Sequence, residues 1–131
     1  KEAGGSPAKI AKTIETCADD FFVWSGNDDE AVGTMALGAK GLISVLSNVR
    51  PKKTLAMIRA CQQNDFRRAG ALQRELMALI HALFSEVNPI PVKKALELEG
   101  IPVGDPRLPL TAFPVEKLPL LKAALAKTPD A

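Results

Sequence analysis

A lysine followed at once by small residues, Lys1-Glu2-Ala3-Gly4-Gly5, stands ahead of a well-formed helix start at Ser6-Pro7. That order is expected where a buried strand ends and enters a loop. In an α/β protein catalytic groups sit at this carboxyl edge of the sheet. The chemistry open to a lysine there is attack on a ketone carbon to form an imine. An ordinary lysine has a pKa near ~10.4, so its amine is a nucleophile only where desolvation or nearby charge favours the neutral form. Taken by itself, Lys1 reads more readily as a surface lysine at the start of a loop.

Other chemistry-bearing residues point to structure. Asn27-Asp28-Asp29-Glu30 lacks calcium-loop spacing and sits where a helix cap is wanted. His81 has no Cys or His partner in its predicted helix, which suits a packed or surface histidine rather than a ligand. The pairs Lys52-Lys53, Arg67-Arg68 and Lys93-Lys94 read as solvated helix faces. Cys17 and Cys61 fall on apolar sides of predicted helices, favouring reduced core thiols over a disulfide framework. No metal site is expected, and phosphate loops, dinucleotide fingerprints, zinc spacings and nucleophile elbows are absent from the sequence. A net charge of +2 gives no electrostatic case for a nucleic-acid or membrane surface. No apolar run approaches the ~20 residues that span a bilayer. A cytoplasmic protein is expected.

The elements that must position Lys1 follow from patterning. Ser6 suits an N-cap and Pro7 the first helical position. Ile10, Ile14 and Cys17 then recur at helical spacing as far as Asp19-Asp20. Phe21-Phe22-Val23-Trp24 is a continuous apolar run that stops at Ser25-Gly26, the pattern of a strand buried on both faces. A helix from Asn27 carries Val32, Met35, Ala36 and Leu37 to Gly38. Gly41-Leu42-Ile43-Ser44-Val45-Leu46 predicts a second buried strand, and Pro51 opens a helix with Leu55, Ile58 and Cys61. Strands alternating with helices indicate parallel βαβ units, hence an α/β protein.

After Asn64 the pattern turns helical. Asp65 caps a long helix with Phe66, Ala69, Leu72, Leu76, Leu79, Ile80 and Leu83 on one face. Asn88-Pro89-Ile90-Pro91 breaks it, and a shorter helix runs from about Val92 to Glu99 with Gly100 as its stop. A last helix carries Leu120, Leu121, Ala124 and Leu125, with Pro119 in its first turn. Two strands alone leave unpaired edges and bare apolar faces. Residues 1–63 are therefore expected to be part of a larger α/β domain, and residues 64–131 a helical domain appended to it.

Three segments together resemble the dihydrodipicolinate synthase (4-hydroxy-tetrahydrodipicolinate synthase) family. Lys1-Glu2-Ala3 is similar to its Schiff-base lysine segment, one that related pyruvate aldolases share. Ser25-Gly26-Asn27-Asp28 and Gly41-Leu42-Ile43-Ser44-Val45 resemble the ends of its last two strands. Asn88-Pro89-Ile90-Pro91-Val92-Lys93 and Arg107-Leu108-Pro109-Leu110 resemble two signatures of its C-terminal part, the first being the more specific. The resemblance implies the C-terminal portion of a (β/α)8 TIM barrel, its last two strands and their helices, followed by a three-helix domain.

It implies that Lys1 forms an imine with pyruvate and that the derived enamine condenses with aspartate semialdehyde, on the route to diaminopimelate and lysine. The covalent imine is the electron sink, so no cofactor is called for. Ile43 is implied to border pyruvate with its backbone carbonyl, although as a residue type it reads simply as buried strand. Gly26 would let backbone approach the imine, or serve only as a strand-to-loop turn. The family's tyrosine relay finds no tyrosine in this sequence. An isolated chain is thus expected to be inactive and unstable, to need the remainder of its own barrel, and to work within a homotetramer. Two alternatives remain at this stage: a sister aldolase such as N-acetylneuraminate lyase, and a non-catalytic helical assembly module.

Overall fold

Helix starts and stops are set locally. In the computed structural model, which describes residues 1–130, Ser6 Oγ accepts the Lys9 backbone N–H at 3.3 Å and opens α1, Pro7–Thr16. Helix α2, Ala31–Ala36, follows a 3-10 turn at Asp28–Glu30. Helix α3 is Pro51–Gln62 and α4 is Phe66–Leu83. Between them Asn64 takes a left-handed φ of 61°, which asparagine tolerates better than most residues. That turn lets Asp65 N–H reach the Ala60 carbonyl at 2.9 Å, while the Asp65 carboxylate accepts Arg68 N–H at 3.0 Å. One aspartate therefore closes α3 and opens α4.

Helix α5 is Ile90–Leu98, starting two residues earlier than predicted because Pro91 is accommodated in its first turn. Gly100, at a φ of 82°, stops it as expected. Helix α6 is Leu118–Lys127, with Pro119 in the first turn.

The sheet differs from expectation. Neither 21–24 nor 41–46 is a continuous strand among the described residues; three extended segments meet instead at single parallel bridges, Glu2 to Ser25 and Ser25 to Leu42. Glu2 N–H donates to the Trp24 carbonyl at 2.8 Å, and Gly26 N–H to the Glu2 carbonyl at 2.7 Å. Ser25 N–H reaches the Gly41 carbonyl and Ile43 N–H the Ser25 carbonyl, both at 2.9 Å. The third segment is cut short because Val45 is already helical in backbone angle and Leu46–Asn48 forms a 3-10 turn.

Burial on both faces is also corrected. Phe22 and Trp24 are 58% and 39% exposed, whereas Val23 and Ser25 are buried; Phe21, whose N–H closes the preceding turn on the Ala18 carbonyl, is exposed as well. Side chains alternate across an extended chain, so one face of the three segments packs on the helices and the other is open.

The main core is continuous across residues 63 and 64. Ala31, Leu46 and Met57 pack in one cluster with Leu76, Leu79 and Leu83 of α4 and with residues of α5 and α6. Arg50, itself buried, fastens the chain end to this core. Its guanidinium donates to the Thr128 carbonyl, to the Leu125 carbonyl at 3.0 Å and to Glu99 at 2.9 Å. Asp130 then accepts the Lys52 and Lys53 N–H groups at 3.2 and 3.1 Å. A carboxylate from the far end of the chain thus caps α3, whose own N-cap residue Arg50 makes no side-chain cap.

Candidate active site

Lys1, Gly26 and Ile43 come together because the three extended segments lie abreast. With Glu2, Ser25 and Leu42 in register, their neighbours Lys1, Gly26 and Ile43 fall on the opposite face, the open one. Lys1 crosses directly over Gly26. A Cβ placed on Gly26 would lie 2.8 Å from Lys1 Cε, 2.7 Å from Ala3 Cβ and 3.0 Å from the Glu2 carbonyl oxygen. The space a side chain would fill is taken by the lysine stem, so only glycine permits this crossing. The same lean recurs one segment on, where the Trp24 ring occupies the place of a Gly41 Cβ.

Ile43 sits one residue past the Leu42 bridge, 47% exposed, its N–H spent on Ser25. No donor among the described residues reaches its carbonyl. Asn27 holds the loop after Lys1: its side-chain amide donates to the Ala3 carbonyl at 3.4 Å and to Glu30 at 3.0 Å.

Lys1 is exposed. One expectation needs correction: Asn27-Asp28-Asp29-Glu30 does not act as a side-chain cap for the turn it opens, since Asn27 makes no cap bond and Asp28 turns inward instead.

Asp28 is the residue that patterning missed. It is fully buried. Its carboxylate accepts Ser44 Oγ–H, the Val45 N–H at 2.9 Å and the Leu46 N–H at 3.1 Å, while its carbonyl accepts Gln73 Nε2 at 2.7 Å. Gln73 Oε1 in turn accepts the Val32 N–H at 3.3 Å. The available signals were an acidic residue two positions past a strand-ending glycine, which is also where a helix cap belongs, and its place at the end of the Ser25-Gly26-Asn27-Asp28 segment.

Burial pushes the Cys61 thiol up, while Cys17 is partly exposed, and both are free. No group of three or more His, Cys, Asp or Glu residues suited to a metal occurs among the described residues. No described helix is long and apolar enough to cross a membrane.

A family model described as Dihydrodipicolinate synthetase family matches residues 1–128. The 4-hydroxy-tetrahydrodipicolinate synthase of Exiguobacterium sibiricum is 50% identical over 110 residues, which are 84% of this chain and 38% of that protein. The crystal structure of dihydrodipicolinate synthase from Aquifex aeolicus superposes with a TM-score of 0.94 at 40% identity, covering 97% of this chain and 43% of that one. The Acinetobacter baumannii enzyme, described as chloride-inhibited and complexed with pyruvate, superposes with a TM-score of 0.92 at 35% identity over 97% of this chain and 44% of that one. The chain spans about two-fifths of the length of the curated relatives it matches.

Proposed function

The chain belongs to the dihydrodipicolinate synthetase family, and from that premise we propose that it supplies the imine-forming lysine of a 4-hydroxy-tetrahydrodipicolinate synthase. The observation that carries the reading is the crossing of Lys1 over Gly26 on the open face of three parallel segments, with the free Ile43 carbonyl at the same edge. That open face is the one a closing barrel would cover with the remaining strands of a (β/α)8 fold. Enclosure there would remove water from the amine and favour its neutral, nucleophilic form.

The neutral Lys1 amine adds to the pyruvate ketone carbon, and with uptake of one proton water leaves, giving a protonated imine. Loss of a methyl proton converts the imine to an enamine, the iminium nitrogen taking the electron pair. The enamine carbon attacks the aldehyde of aspartate semialdehyde and forms the new carbon–carbon bond. The product's own amine then adds to the imine carbon and expels Lys1, closing the ring. The protonated imine accepts electrons at the step where a cofactor would otherwise be needed. Pyruvate as the first substrate is supported by the complex described for the Acinetobacter relative. Assembly as a tetramer and a cytoplasmic setting belong to the same reading.

Borohydride reduction in the presence of pyruvate tests it. A full-length protein containing this chain should gain a reduced pyruvyl group on Lys1, located by peptide mass spectrometry. A folded protein that gains no adduct at Lys1 overturns the assignment.

A further inference from the structure

Asp28 joins the exits of two segments that carry the candidate site. It lies two residues after Gly26, and its carboxylate holds Ser44 Oγ and the Val45 and Leu46 N–H groups immediately after Ile43. Ser44 Oγ also accepts the Ser47 N–H at 2.8 Å, so the turn after the third segment is built on this one carboxylate. Gln73 of α4 fixes Asp28 from behind through the 2.7 Å bond to its carbonyl. The parallel ladder between segments two and three is only a few bonds long. It therefore leaves the direction of the Ile43 carbonyl to whatever anchors the next residues, and Asp28 is that anchor.

We propose that Asp28 is a positioning residue for imine formation, acting through Ser44 and the Val45 and Leu46 N–H groups to aim the Ile43 carbonyl across the open face toward Lys1. The proposal rests on the function proposed above. Hydrogen bonds to a carboxylate are stronger than those to a neutral acceptor, and three of them on one side chain suit a group that must hold a short extended segment in one register. Replacing Asp28 by asparagine keeps its shape but turns one of its two accepting oxygens into a donor, so the bonding on that side is lost and the rest is weakened. Replacing Ser44 by alanine removes one of them and frees the Ser47 N–H.

The test follows the pyruvate dependence of borohydride trapping in a full-length protein containing this chain. Wild type, Asp28→Asn, Ser44→Ala and the double variant are compared on folded protein, with thermal melting measured alongside. Each single variant should raise the half-saturating pyruvate concentration about tenfold, the scale of one charge-assisted bond. The double variant should do little more than the stronger single, because both act on one interaction. Variants that melt earlier yet keep the wild-type pyruvate dependence overturn the proposal and leave Asp28 a scaffold residue. Should Asp28→Asn fail to fold, Ser44→Ala decides by the same criterion. A wild-type protein that traps no pyruvate at Lys1 overturns the proposed function itself, and this inference with it.

Discussion

The open face of the extended segments and the helical core beneath it are built from equally apolar residues and treat them in opposite ways. Phe22 and Ile43 remain roughly half exposed, whereas Leu76, Leu79 and Leu83 are fully enclosed. The difference lies in how each element satisfies its backbone. A helix makes its hydrogen bonds within itself, so neighbouring helices can close a core from a short stretch of chain. Parallel extended segments are ordinarily covered on both faces, and these residues provide one layer only. The bare face is the one that carries the candidate chemistry.

The contrast would break most visibly in paired truncations. In a full-length protein, Leu79→Ala should cost about 3 kcal/mol from lost contacts and the cavity left behind. Phe22→Ala should cost a similar amount there if further strands cover the open face. A Phe22→Ala cost below about 1 kcal/mol by urea denaturation would mean that the face stays open and the barrel reading is wrong.

Gly26→Ala addresses the open face directly. The added methyl would collide with the Lys1 stem and the Ala3 side chain. Pyruvate trapping should slow about 100-fold, as small displacements of a reacting group often do. Gly33→Ala is the control, because a Cβ there meets nothing within 4 Å. Equal trapping rates in the two variants would remove the crossing from the argument.

On the helical side, Asp130→Ala uncaps α3 and should lower stability by about 1 kcal/mol in denaturant titration, with trapping unchanged once folded. The smallest effect concerns the thiols. Cys17 should be alkylated well before Cys61 in the native protein, followed by mass spectrometry. Burial raises the Cys61 pKa in the folded state, so the folded form holds its proton where an unfolded thiol would release it. Its share of stability is present at neutral pH and declines as pH rises past the range in which an exposed thiol ionises. Equal alkylation of both cysteines would contradict that burial.

Much of the helical framework could be read along the chain because its signals are local. Ser6 and Asp65 cap, Gly100 stops, and Pro119 sits in a first turn, each acting within a few residues of itself. The extended segments were placed correctly in order and direction, but their lengths were not. A continuous apolar run does not reveal which of its faces has a neighbour, so it reads as buried on both, while the structure leaves Phe22 and Trp24 exposed and buries Val23. Lys1, Gly26 and Ile43 could be singled out by type and by family pattern. Their shared face depends on the register of bridges between residues far apart in sequence.

Asp28 and Arg50 mark the boundary between the two kinds of information. Written in the chain, Asp28 is one of three consecutive acidic residues and Arg50 one basic residue before a proline. In the fold, Asp28 binds a turn 16 to 18 residues away and Arg50 binds a helix end 75 to 78 residues away. Residue order and spacing were sufficient for most helix ends and for segment order, since each rests on interactions within a turn or two or on a family pattern. Which face of the segments lies open, and which buried charges hold their exits, follows only from packing, because a buried charge takes whatever donors folding brings to it.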